Sequence, residues 1–94
     1  MHTKKLAKVY KALSNENRLE IFMDILEHEK KTFEKRNCIV SQITEKFNIG
    51  APTISHHLKE LANADLIFTQ KEGKYLTATV NKELLEELRE KFEI

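Results

Sequence analysis

Apolar residues return at helical spacing along most of this chain and give way to β-prone runs in one stretch only. Leu6, Val9, Tyr10 and Leu13 stand at i, i+3, i+4 and i+7, which predicts an amphipathic first helix from about His2 to Leu13. Ser14 or Asn15 is placed to cap a second helix from about Asn15 to Glu29. Leu19, Ile21, Phe22, Ile25 and Leu26 make its broad apolar face, with Arg18, Glu20, Asp24 and Glu27 largely on the wet side, so this helix is expected at the centre of the core. The charge-rich stretch Glu29 to Asn37, EKKTFEKRN, holds one aromatic, Phe33, and fits either a helical extension or an exposed loop.

A short third helix is predicted from about Ser41 to Phe47, with Ser41 as its cap and Ile43 and Phe47 facing inward. Asn48 is the residue best suited to a left-handed turn, because its short polar side chain tolerates positive φ. Ile49 then plugs the angle between helices, Gly50 caps the next one, and Pro52 falls in its first turn, where a missing N–H costs no intrahelical bond. From Ala51 to Ala64 the buried stripe is Ile54, Leu58, Leu61 and Ala62, leaving Thr53, Ser55, His56, His57 and Lys59 toward outer or lateral faces. Past Asp65, the β-prone runs from Leu66 to Gln70 and Tyr75 to Val80 flank KEGK and predict a hairpin. Asn81 caps a last helix with Leu84, Leu85, Leu88 and Phe92 on one side and Glu83, Glu86, Glu87, Glu90 and Glu93 around the rest. Two helices joined by a tight turn and followed by a hairpin make a winged helix-turn-helix. The expected fold is mainly α, with five helices and a two-stranded wing in one domain over residues 1–94.

Composition narrows the chemistry. With 94 residues, 40% of them hydrophobic, the chain supports one small core of a size that often gains stability by oligomerising. Sixteen Lys and Arg against fifteen Asp and Glu leave a formal net charge of +1, so any nucleic-acid surface must be a local arrangement. Cys38, the single cysteine, excludes an internal disulfide, and no apolar run is long enough for secretion or membrane insertion, so a soluble cytoplasmic protein is expected. No nucleophile stands beside a base, and Gly50 and Gly73 are the only glycines, so there is no phosphate-binding loop and no enzyme is expected.

A recognition helix needs short side chains near its N-terminus, with hydroxyls or imidazoles to bond phosphates and base edges, and Thr53, Ser55 and His56 meet that need. The bland alternative is the solvated face of an ordinary helix. Lys71 and Lys74 beside Gly73 sit where a wing tip can reach flanking phosphates, or where they merely protect a strand edge. The apolar stripe of the last helix either packs back on its own domain or, with the first helix, pairs with a second copy.

The segments KALSNENRLEIFMDIL and VSQITEKFNIGAPTISHHLKELANADLIFTQKEGKYLTATV resemble the ArsR/SmtB group of bacterial and archaeal repressors over nearly the whole chain. The resemblance rests on Ala12 to Leu19, on Thr53 to Leu61 and on the A-D-L-I and E-G-K-Y pieces of the wing. It implies a homodimer that binds an imperfect palindrome in double-stranded DNA and leaves it when an effector arrives. DNA contacts would map to Thr53, Ser55, His56, His57, Lys59, Lys71, Lys74 and Tyr75, and dimer contacts to Leu6, Val9, Tyr10, Leu84, Leu85, Leu88 and Phe92.

Metal-sensing relatives often carry a Cys-x-Cys pair whose matching positions here are Ile39 and Ser41, and a second site on a last helix that here lacks histidine. No metal and no cofactor are therefore expected, the region of Cys38, His28 and His2 being the one place to test, and the effector stays unidentified. Two other readings remain. Cys38 is either a thiol switch for a repressor or an inert apolar thiol, and the whole domain is either a DNA binder or a winged-helix module that binds another protein.

Overall fold

The structure, a computed structural model, describes residues 1–31 and 38–93, without the side chains of Lys31, Cys38, Ile39 and Thr44. Helix α1 (Thr3–Leu13) ends where Ser14 turns back on it, both its N–H and its hydroxyl donating to the Lys11 carbonyl. Asn15 is then the cap of α2 (Glu16–Lys31), its Oδ1 accepting from the Arg18 N–H at 3.0 Å. Glu29 to Lys31 thus complete α2; the rest of the charge-rich stretch, Phe33 included, lies outside the described residues.

Ile21, Phe22 and Ile25 of α2 are almost wholly buried and form the middle of the core, as the periodicity predicts. Two neighbours depart from that pattern. Leu19 is 40% exposed, whereas Arg18, expected on the wet side, is half-buried. At about 100° per residue, Arg18 falls within about 20° of Ile25 around the helix and Leu19 about 120° away, so geometry overrides side-chain polarity.

Strand β1 (Cys38–Ile39) leads directly into α3 (Val40–Thr44), in which Ser41 is a helical residue rather than the cap. Ile43 is buried, and Phe47 and Ile49 pack against the core from the connection that follows. That connection occupies residues 45–50, long enough to reverse direction without a left-handed residue, so Asn48 does not take the positive φ expected of it. Among the described residues the non-glycine positive φ is at Asp65, 62°.

Asp65 closes α4 (Ala51–Asn63). The Leu66 N–H reaches the Leu61 carbonyl at 3.1 Å and the Asp65 N–H the Ala62 carbonyl at 3.0 Å, the two bonds of a Schellman cap. Leu61 and Leu66, which this geometry brings together, are both fully buried. The Asp65 carboxylate bonds the Lys5 ammonium, and its carbonyl accepts from Asn81 Nδ2 at 2.9 Å, so one strained residue ties the end of α4 to α1 and to the start of α5 (Lys82–Lys91).

Strands β2 (Ile67–Glu72) and β3 (Tyr75–Val80) pair antiparallel from Ile67↔Val80 to Glu72↔Tyr75. Gly73, at φ 62°, takes the first of the two turn positions, where a tight hairpin of the II′ kind requires glycine. The expected hairpin is therefore present, and β1 adds to its other edge in the order β1-β3-β2, with Cys38 opposite Ala78. Two residues are too few to show a strand pattern; β3 becomes the central strand because its outer edge otherwise leaves backbone donors without partners. Asn81 caps α5 as expected, its Oδ1 accepting from the Leu84 N–H. Among the described residues no helix is long and apolar enough to cross a membrane.

Candidate nucleic-acid interface

The first turn of α4 begins at Gly50, extended at φ −66° and ψ 152°, with no side chain capping the helix. Pro52 has no N–H and the Thr53 and Ile54 amides donate to the Gly50 carbonyl, so it is the helix dipole that presents positive potential at this end. Ile54, Leu58 and Leu61 are buried and set the rotation of the helix, which leaves Thr53, Ser55, His56 and Lys59 exposed. No carboxylate interrupts the segment from Ala51 to Lys59, so this face carries local positive charge although the chain as a whole is nearly neutral.

A cleft of about 290 Å³ separates the start of α4 from the wing. Val40, Ile54 and Leu58 line its apolar part, and Ser41, Ser55, Lys74 and Tyr75 also border it, so groups 20 residues apart in sequence face one space. The Lys74 ammonium lies 5.4 Å from the centroid of the Tyr75 ring, a cation–π contact that holds the charge at the wing tip. Lys71 is exposed farther along β2. Seven of the eight expected DNA contacts are thus on the surface, and Ser55, Lys74 and Tyr75 share one site.

His57 is the exception. It exposes 5% of its surface, because it follows Ile54 and precedes Leu61 on the core side of α4, and is corrected here from an outward group to an inward one. Its Nδ1 accepts from Arg18 Nε at 3.3 Å, while Arg18 Nη1 donates to the Ala12 carbonyl at 3.3 Å. Burial, then the positive field of Arg18 and that of His56, hold the His57 pKa below its ordinary value. Side-chain polarity hides Arg18 from a sequence reading of the site, whereas the rotation that places it beside Ile25 is a signal that reveals it.

Elsewhere, α1 and the end of α5 meet through Tyr10 and Phe92, whose rings stack edge-to-face with centroids 5.8 Å apart. Tyr10 is 43% and Phe92 62% exposed, and Leu6, Leu85 and Leu88 are half-buried around them. Val9 and Leu84, expected in a dimer contact, are instead buried within the subunit's own core, since each sits on the inward edge of its helix. Among the described residues no three His, Cys, Asp or Glu groups stand together as metal ligands; the Cys38 side chain lies outside that description, and with it the thiol-switch question.

Residues 15–68 match the family model for bacterial regulatory proteins of the arsR family. An arsenical resistance operon repressor from Staphylococcus xylosus is 33% identical over 94 residues, covering 100% of this chain and 83% of that protein. An ArsR-like transcriptional regulator from Rhodococcus sp. RHA1 superposes with a TM-score of 0.72 at 22% identity, over 94% of this chain and 76% of that one. The homodimeric winged helix-turn-helix DNA-binding domain of a possible ArsR-family regulator from Mycobacterium bovis superposes at 0.69 with 24% identity, over 90% of this chain and 71% of that one.

Proposed function

As this chain belongs to the ArsR family and is therefore a DNA-binding transcriptional regulator and not an enzyme, we propose that it works as a homodimeric repressor of an imperfectly palindromic operator. The observation that carries this reading is the shared cleft, where Ser55 of α4 and Lys74 and Tyr75 of the wing face one space beside an uncapped helix start. Thr53, Ser55 and His56 would enter the major groove, with Lys59, Lys71 and Lys74 on the flanking phosphates. Pairing through Tyr10, Phe92 and the half-buried leucines of α1 and α5 would set two such helices roughly 34 Å apart, one turn of DNA. The homodimeric Mycobacterium bovis domain supports pairing with a second copy.

The residues do not fit the metal sites common in this family. Ile39 and Ser41 offer no thiolates and α5 offers no histidine, so release from the operator would depend on something other than a metal held at those positions. The test is selection of bound fragments from genomic DNA, followed by replacement of Ser55, His56 and Lys59 with alanine. Loss of duplex binding with the dimer intact is the expected result. Affinity that stays the same for every promoter fragment would point instead to a winged helix that binds protein.

A further inference from the structure

Arg18 is half-buried, and it joins three helices. From the first turn of α2 it donates to His57 in the middle of α4 and to the Ala12 carbonyl at the end of α1. An imidazole that accepts at Nδ1 must be neutral and must carry its proton on Nε2. The titratable groups bearing on His57 are Arg18 from α2 and His56 from α4 itself, whose ring centroid is 6.1 Å away; from α1 the Ala12 carbonyl accepts from the same guanidinium. Both, like burial, oppose a proton on His57.

We infer that Arg18 and His57 are a positioning pair for DNA binding: neutral His57 accepts from Arg18 and so fixes the seat of α4, and acid, by filling that acceptor, unseats the recognition helix. The inference rests on the function proposed above. His57 lies one residue from His56 and two from Ser55 and Lys59, so a small rotation of the helix moves every proposed contact on it together. The sign follows from the lowered pKa. The folded protein takes up this proton less readily than the unfolded chain, so the pair's contribution is complete above the ordinary histidine value of about 6.5 and is lost as pH falls from there through the lower folded value.

The experiment compares wild type with His57→Asn, whose Oδ1 can accept from Arg18 but does not titrate, on the tightest duplex from the genomic selection. The ratio of their dissociation constants cancels pH effects common to both proteins. That ratio should be near one at pH 8 and should rise in favour of the variant below about pH 6.5, becoming severalfold by about pH 5. Arg18→Leu should weaken binding about tenfold at pH 8 without altering its salt dependence, because Arg18 neutralises no phosphate. A flat ratio across pH, or a reduced salt slope for Arg18→Leu, would overturn the inference. Should His57→Asn fail to fold, imidazole ¹⁵N NMR of the wild type decides: Nε2–H with a bare Nδ1 is expected, and Nδ1–H sinks the pair. Absence of duplex binding by wild type at pH 8 would instead remove the repressor reading itself.

Discussion

Asp65 shows how one side chain can hold a conformation that its backbone disfavours. A left-handed residue other than glycine is costly, by roughly 1–2 kcal/mol for a residue without a polar side chain to help. Here the carboxylate bonds Lys5 and the carbonyl is held by Asn81, so the strain comes with ties to α1 and α5. Asp65→Ala keeps the strain and removes the Lys5 contact, and its melting temperature should drop by about 5 °C, the scale of 1 kcal/mol in a domain of this size. Asp65→Gly relieves the strain while losing the same contact and should stay within about 2 °C of wild type in the same scan. Equal losses for glycine and alanine would show that the carboxylate, not the backbone, dominates.

The elements that would meet DNA are α4 and the hairpin, and they answer to different forces. The rotation of α4 is set by Ile54, Leu58 and Leu61 and can be read from spacing alone, whereas the inward turn of His57 depends on Arg18 waiting across the interface. In the hairpin, Gly73 fixes a two-residue turn and so places Lys74 and Tyr75 at the tip. If Lys71 and Lys74 each neutralise a phosphate, replacing both with glutamine should reduce the magnitude of the slope of log affinity against log salt by about 2 per subunit, or about 4 for a dimer on its operator, read from anisotropy titrations at several salt concentrations. An unchanged slope would assign the two lysines to strand-edge protection instead.

At the scale of the molecule, two exposed surfaces differ in chemistry. One has the donor-rich start of α4 and the wing; the other has Tyr10 and Phe92 with the half-buried leucines of α1 and α5. Exposed aromatics clustered in so small a domain mark a surface that gains from being covered. Tyr10→Glu combined with Phe92→Lys should fold, since both residues are largely at the surface, but should sediment as a monomer. Its affinity for a palindromic duplex should fall at least a hundredfold, because each half-site would then be held singly. A dimer that survives both changes would move the interface elsewhere.

The order of helices, the hairpin and its glycine, the Asn81 cap and the exposed polar set Thr53, Ser55, His56 and Lys59 were legible in the chain, because each depends on spacing or on a local backbone preference. Only the tertiary structure decided what depends on a partner distant in sequence: β1 as a third strand on β3, Asp65 rather than Asn48 as the left-handed residue, Val9 and Leu84 as core, and His57 turned inward onto Arg18. Periodicity tells which side of a helix is buried. Which polar group can follow it inside is settled by the hydrogen-bond partner that meets it there.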